Sequence, residues 1–104
     1  MKSCIRIHPS DNVATMLESV ENGDSIAVLD DCLQQVEELS ALESIPFGHK
    51  IALKALQSGE NVVKFGSVIG KATAEISRGS YVHIHNVVSI EGRQKPICSE
   101  GENE

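Results

Sequence analysis

The 104-residue chain has little positive charge, because nine lysines and arginines stand against fifteen aspartates and glutamates, for a formal net charge of −6. Nucleic-acid backbones and anionic membrane surfaces attract clusters of Lys and Arg. Neither is therefore expected as a main partner, although a small anion can still bind locally. Much of the acidic excess lies in the final residues SEGENE, and we predict a solvated, acidic tail over residues 89–104.

Aromatic residues are also scarce, since Phe47, Phe65 and Tyr81 are the only three. The core must therefore consist of Val, Ile, Leu and Ala, and 40% hydrophobic residues suffice for one small domain. A lean aliphatic core gives modest stability, so a partner surface would help. We place this domain at residues 4–88.

Motifs of several common classes of site are missing. The chain has an odd number of cysteines, and they lie far apart in the sequence: Cys4, Cys32 and Cys98. This favours three free thiols in a reducing compartment. The N-terminal residues lack the apolar segment of a signal peptide, and no apolar run approaches the length of a membrane span. No phosphate-binding glycine loop is present either. The sequence predicts a soluble, cytoplasmic protein.

Hydrophobic spacing predicts a mainly β fold with two short helices. A first helix is expected between a cap at Ser10 or Asp11 and Gly23, because apolar residues follow the helical spacing there. A second helix is expected over residues 49–56. Strands are predicted at 4–8, 25–29, 61–65 and 81–88. Residues 34–39 are ambiguous: Leu33, Val36 and Leu39 could form a helical stripe, but the distance between turn signals favours a strand. The glycines of residues 66–76 indicate sharp bends or close backbone approach, and no internal repeat is evident.

The segment SYVHIHNVV, residues 80–88, carries the most suggestive pattern. In a strand, residues i and i+2 lie on one face about 6.5–7 Å apart. His83 and His85 would then share a face with Tyr81, while Val82 and Ile84 would point into the core. Such a pair can present two nitrogen ligands to zinc, iron or manganese. From spacing alone, an exposed strand that merely carries two histidines is the commoner case.

Other polar residues near glycine and proline are candidates with structural alternatives. A third ligand could come from His8, beside Pro9, or from His49, beside Gly48. Residues 10–14 read mainly as the start of a helix with Asp11 as its cap. In the functional alternative, Asn12 and the helix N-terminus would face an anion. Lys50 could steady a carboxylate as a point charge, or be an ordinary solvated lysine.

Three segments in order resemble a known family: IRIHPSDNVA (5–14), IPFGHKIAL (45–53) and GENVVKFGSVIGKATAEISRGSYVHIHN (59–86). They are similar to the small N-terminal domain of altronate dehydratases and to the small subunit of sulfolactate sulfo-lyases. The resemblance covers most of the chain, and the ordered set is specific although each motif alone is weak. Residues 30–44 depart from the family pattern, which leaves the choice of substrate open.

The resemblance implies a β-clip of the SAF type and a lyase that depends on iron(II) or manganese(II), a metal that the large subunit could share. Such an enzyme removes water from a sugar acid such as altronate, or sulfite from sulfolactate, together with a large catalytic subunit. The alternative is a non-catalytic module that binds a sugar acid or acts as a lid, and self-association stays open. The expected roles are metal ligands for His83 and His85, catalytic groups for His49 and His8, and substrate contacts for Asn12, Lys50 and Asn86.

Overall fold

The computed structural model describes residues 1–89, and these residues form nine β-strands without a helix. The strands are β1 (Lys2–Ile5), β2 (Val13–Met16), β3 (Ser25–Leu29), β4 (Gln35–Ser40), β5 (Lys50–Ala52), β6 (Asn61–Lys64), β7 (Ser67–Ala72), β8 (Tyr81–Val82) and β9 (Val87–Ser89). Within the same residues, no helix is long and apolar enough to span a membrane. The predicted tail falls largely on residues 90–104, which lie outside the described part of the chain.

Two sheets organise these strands. The larger has the order β4-β3-β1-β2-β5-β8, and the smaller has the order β6-β7-β9. Strands β1 and β3 run parallel, and the other paired strands are antiparallel. The prediction of strands over 25–29, 34–39 and 61–65 is confirmed by β3, β4 and β6. This all-β arrangement is compatible with the β-clip that the resemblance implies.

Both predicted helices are wrong. The first segment contains β2 and the second contains β5, and these strands pair with each other in the larger sheet. Val13, Ala14 and Met16 are all buried, so β2 has core on both faces and loses the alternation that marks a half-buried strand. A bend after Met16 then returns Val20 to the core. The resulting apolar spacing imitates the period of a helix.

A nine-residue unit occurs four times, contrary to the expectation of no repeat. The units are residues 16–24, 41–49, 52–60 and 72–80. Each begins at a buried residue, has a buried aliphatic side chain at its fifth position and has glycine at its eighth. These glycines have φ between 85° and 96°, and the N–H of each ninth residue donates to the carbonyl of the sixth. That is a tight turn of the kind that needs glycine at its third residue.

The four units associate as two reciprocal pairs. In the first pair, Val20 and Ile45 exchange two backbone hydrogen bonds of 3.0 Å. In the second, Leu56 and Ile76 do the same at 2.7 and 2.8 Å. Each pair contributes to its own hydrophobic cluster, so the core has two centres. The repeat is hard to see in the sequence although the first two units share Leu-Glu-Ser at positions two to four. The sixth, seventh and ninth residues differ in all four units, and the units are unevenly spaced along the chain.

The segment predicted as one final strand is two strands joined by a turn. β8 ends at Val82 and β9 starts at Val87, with a turn over residues 83–86. Asn86 closes the turn, because its N–H donates to the His83 carbonyl and its Oδ1 accepts the His83 N–H at 2.9 Å. His83 and His85 therefore do not share a strand face. Ile84 is 84% exposed rather than buried in the core.

Candidate functional site

Four ring side chains gather where the second and fourth units end. Strand β8 pairs with β5, and this pairing brings Tyr81 beside His49. The Nδ1 atom of His49 lies 2.5 Å from the Tyr81 hydroxyl. The ring centroids of His49 and His83 are 5.0 Å apart, and Tyr81 stacks on His83 at 5.5 Å with 13° between the planes. His85 meets the Tyr81 ring edge-on at 5.5 Å.

The repeat explains why a histidine can occupy position 49. In the first unit, the ninth residue Asp24 accepts the N–H of the sixth residue Glu21 at 2.9 Å. In the third unit, Glu60 accepts the N–H of Gln57 at 2.9 Å, and this bond lowers the pKa of Glu60. The sixth residue of the second unit is Pro46, which has no N–H to satisfy. A carboxylate is therefore not needed at the ninth position, and the His49 ring is free to face Tyr81.

This comparison predicts a coupling between Pro46 and His49. With proline present, His49→Asp gains no hydrogen bond to the turn, whereas with Pro46→Ala it can accept the new N–H at residue 46. We expect the two substitutions to be coupled favourably by about 1 kcal/mol of unfolding free energy. Urea unfolding of the wild type, both single variants and the double variant measures this coupling. Additive effects of the two substitutions would contradict the role assigned to proline.

A pocket of about 270 Å³ opens beside the ring cluster. Its walls are mainly aliphatic, and they also include Lys50 and His83. Burial, and secondarily the charge of Lys64, lowers the pKa of Lys50. Apolar walls with a few polar groups are typical of sites for small ligands. The lining residues are Lys50, Val62, Ile69, Val82, His83, Ile84, Val87 and Ser89.

Two of the residues predicted to contact the substrate, Asn12 and Asn86, form side-chain hydrogen bonds to the backbone around the site. Asn12 donates from Nδ2 to the Asn61 carbonyl at 2.9 Å and accepts the Val63 N–H at 2.8 Å, which joins it to β6. Asn86 donates from Nδ2 to the Tyr81 carbonyl at 2.8 Å while it closes the following turn. Both amides thus have backbone partners at both ends. Their contact with a substrate stays a prediction.

His8 makes its described contacts away from the ring cluster. Its Nδ1 accepts the Ser10 N–H at 3.1 Å and lies 2.7 Å from the Ser10 hydroxyl. Its ring packs against Gly66, where a Cβ would lie 3.0 Å from His8 Cδ2. Of the seven predicted site residues, the structure gathers His49, His83 and His85 around Tyr81. It places Lys50 with His83 in the wall of the pocket, which His49 and His85 do not line.

The described histidines do not form a complete metal site. Within residues 1–89, the group of three potential ligands that lie within 4.8 Å of one another is Asp30, Asp31 and Cys32, with no histidine among them. Asp30 already accepts the N–H groups of its own turn. Cys4 is no candidate ligand, because burial raises the pKa of its thiol to about 12. Iron(II) or manganese(II) thus does not fit this chain's histidines as a self-contained site.

Sequence reasoning missed the part played by Tyr81. The predicted strand placed it on the face of His83 and His85, but gave it no role. The available signal was Pro46, since a proline at the sixth position of one unit coincides with a histidine at the ninth. Reading that signal requires the four units to be aligned first.

Most of the chain matches known proteins. A family model described as the altronate/galactarate dehydratase SAF domain matches residues 2–90. Altronate dehydratase from Bacillus subtilis is 34% identical over 86 residues, which are 83% of this chain but 16% of that protein. (2R)-sulfolactate sulfo-lyase subunit alpha from Chromohalobacter salexigens is 32% identical over 85 residues, 78% of this chain and 88% of that subunit. The corresponding subunit from Paracoccus pantotrophus is 48% identical over 48 residues, 46% of this chain and 72% of that subunit.

Proposed function

Because the chain belongs to the altronate/galactarate dehydratase SAF domain family, we propose that it is the small subunit or domain of a lyase acting on an anionic hydroxy acid. Similarity to altronate dehydratases favours loss of water from a sugar acid. Similarity to sulfolactate sulfo-lyase subunit alpha favours loss of sulfite, and the word subunit in that name supports a separate large partner. The chain spans only 16% of the Bacillus subtilis relative, so most of the enzyme lies in that partner or in a fused portion.

The observation that carries the proposal is the pocket between Lys50 and His83. A protonated lysine forms a charge-assisted hydrogen bond with a carboxylate, which is stronger than a neutral one. The surrounding aliphatic walls lower the local dielectric constant and strengthen that bond further. We assign the carboxylate of the acid to Lys50 and its other oxygens to the side of His83, which lines the same pocket. His49 lies next to His83, with 5.0 Å between the ring centroids.

Binding in this position favours the chemistry of elimination. A C–H next to the carboxylate must lose a proton, and a hydroxide or sulfite group must leave. Neutralisation of the carboxylate by Lys50 eases removal of that proton, because less negative charge accumulates in the transition state. A base must take that proton, and we place this base on the large subunit. His49 is our candidate within this chain for a group that donates a hydrogen bond to an oxygen of the acid.

Iron(II) or manganese(II) remains a prediction for the assembled enzyme. Such an ion would act as a Lewis acid toward the acid's oxygens. Because no three histidines of residues 1–89 bring their nitrogens within 4.8 Å of one another, we place the ion's main ligands on the large subunit. His83 and His85 could add to that site only at the boundary between the two chains.

Capture of partner proteins by the wild-type chain, followed by assays of two lysine variants in the assembled enzyme, tests this proposal. The tagged chain is used as bait in an anaerobic extract of its host, and the bound proteins are identified by mass and assayed for iron, for manganese and for lyase activity on altronate and sulfolactate. We expect a large lyase subunit, with activity on one of the acids. A bare monomer that binds a sugar acid without metal would favour the independent binding module instead.

The lysine variants locate the carboxylate within the assembled enzyme. Lys50→Met should raise KM about tenfold or more, since a hydrogen bond to a charged group contributes about 1.5–3 kcal/mol and each 1.4 kcal/mol is tenfold. Lys54→Met is the matched control, because Lys54 is exposed and pairs with Glu60 at 3.5 Å outside the pocket. Equal KM values for the two variants would exclude Lys50 as the carboxylate site.

A further inference from the structure

We propose that Tyr81 holds neutral His49 in the tautomer with its proton on Nε2, so that the ring offers a hydrogen-bond donor to an oxygen of the acid. This inference rests on the proposed function for the identity of the acid, but its structural part concerns this chain alone. It assigns to Tyr81 the role of a positioning residue that acts through His49. It also limits neutral His49 to donating a hydrogen bond from Nε2.

The Tyr81 ring is held firmly enough to orient its neighbour. The Tyr81 N–H donates to Glu43 Oε2 at 2.9 Å, and its carbonyl accepts Asn86 Nδ2 at 2.8 Å. The ring is half-buried, with His83 stacked against it and His85 at its edge. Its hydroxyl therefore meets His49 Nδ1 at a defined position, 2.5 Å away.

The direction of this hydrogen bond follows from the chemistry of the two groups. A phenol with an ordinary pKa of about 10 is a good proton donor, while an imidazole nitrogen is a much better acceptor than a phenol oxygen. The bond is thus strongest when the Tyr81 O–H donates to Nδ1. The neutral ring then carries its proton on Nε2, because a neutral imidazole has one N–H and one acceptor nitrogen.

This tautomer has a consequence for ligand chemistry. A metal ion needs a nitrogen lone pair, but Nδ1 is engaged by Tyr81 and Nε2 carries the proton. His49 in this state donates to an anionic oxygen and is not a third metal ligand. Together with the Lys50 ammonium, it adds a donor on the side of His83, whose ring lies 5.0 Å away. A small acid with several oxygens matches this set of donors.

Nitrogen NMR of the full chain labelled with ¹⁵N-histidine tests the inference. Long-range ¹H–¹⁵N spectra at pH 8.5, well above the ordinary histidine pKa of about 6.5, separate acceptor nitrogens from N–H nitrogens. In the wild type we expect His49 to show an acceptor Nδ1 and a protonated Nε2. In Tyr81→Phe, which keeps the ring, the Nδ1 resonance should move to the frequency of an acceptor without a hydrogen bond. His8, whose Nδ1 faces Ser10, is the internal control and should not move.

Two results would overturn the inference: a protonated Nδ1 in the wild type, or a His49 Nδ1 resonance that Tyr81→Phe leaves unchanged. The wild-type spectrum decides the tautomer even if the variant folds poorly. These measurements need neither the partner nor a substrate. Lack of lyase activity in the assembled wild type would therefore contradict the proposed function while the tautomer result stood separately.

Discussion

Replacing Gly79 with alanine should destabilise the fold far more than the same replacement at Gly59. Both glycines occupy the eighth position of a unit, with φ of 93° and 89°, so both alanines bear the cost of left-handed backbone, about 1–2 kcal/mol. The surroundings differ. A Cβ at Gly79 would lie 2.4 Å from the Ser40 carbonyl oxygen, whereas a Cβ at Gly59 meets nothing within 4 Å.

The clash at Gly79 cannot be relieved by a side-chain rotation. Ser40 belongs to β4 and pairs with Ser25 on β3, so its carbonyl can move only with the edge of the larger sheet. We expect Gly79→Ala to cost about 3 kcal/mol or more, a large share of the 5–15 kcal/mol typical of a domain. The displaced backbone would also shift Tyr81, two residues later, and weaken its bond to His49.

Urea unfolding of Gly59→Ala and Gly79→Ala measures this difference, with Gly59→Ala as the control for the backbone conformation. The difference in midpoint, at an unchanged slope, gives the contribution of the clash. If both variants lost the same stability, the close approach between the fourth unit and β4 would be wrong.

Asp11→Ala should also have a large effect, because one buried carboxylate anchors the hairpin of β6 and β7. Its Oδ1 accepts the Gly66 N–H at 2.8 Å, and its Oδ2 accepts the N–H groups of Phe65 and His8 at 3.0 and 3.1 Å. Phe65 has a φ of 56°, which is unfavourable for a residue with a side chain. Removal of the carboxylate leaves these N–H groups without their partner and the strained turn without support. We expect a loss of about 3–5 kcal/mol.

Asp30→Ala is the matched control for this substitution. Asp30 also accepts two backbone N–H groups, those of Cys32 and Gln34, but at an exposed turn between β3 and β4. Water can replace it there, so we expect a loss of about 1 kcal/mol. Chemical denaturation of both variants provides the comparison. An Asp11→Ala variant as stable as Asp30→Ala would show that burial adds nothing to the anchor.

Asp11 also illustrates how a residue can be correctly noticed and wrongly explained. The sequence predicted it as the cap of a helix, because its short carboxylate can accept free N–H groups. It does accept N–H groups, but two of the three belong to Phe65 and Gly66, which lie 54 and 55 positions later in the chain. A pattern of neighbours cannot distinguish a local partner from a distant one.

Membership of the family and the make-up of the core were accessible from the sequence. Three ordered motifs identified the family, and the matching family model spans residues 2–90. The scarcity of aromatic residues meant an aliphatic core, and the largest fully buried side chains are indeed aliphatic apart from Met16 and Cys4. These properties depend on composition and on order along the chain, both of which the sequence contains directly.

Tertiary structure alone decided the type of the two segments predicted as helices and the geometry of the site. The segments predicted as helices became β2 and β5 because each could pair with the other, and cross-strand pairing outweighed apolar spacing. His83 and His85 do not share a strand face, because Asn86 closes a turn over residues 83–86, although both rings contact Tyr81. His49 meets Tyr81 across 32 residues of sequence, since units two and four end side by side. Such contacts depend on which distant segments pair, and local sequence preferences carry little information about that choice.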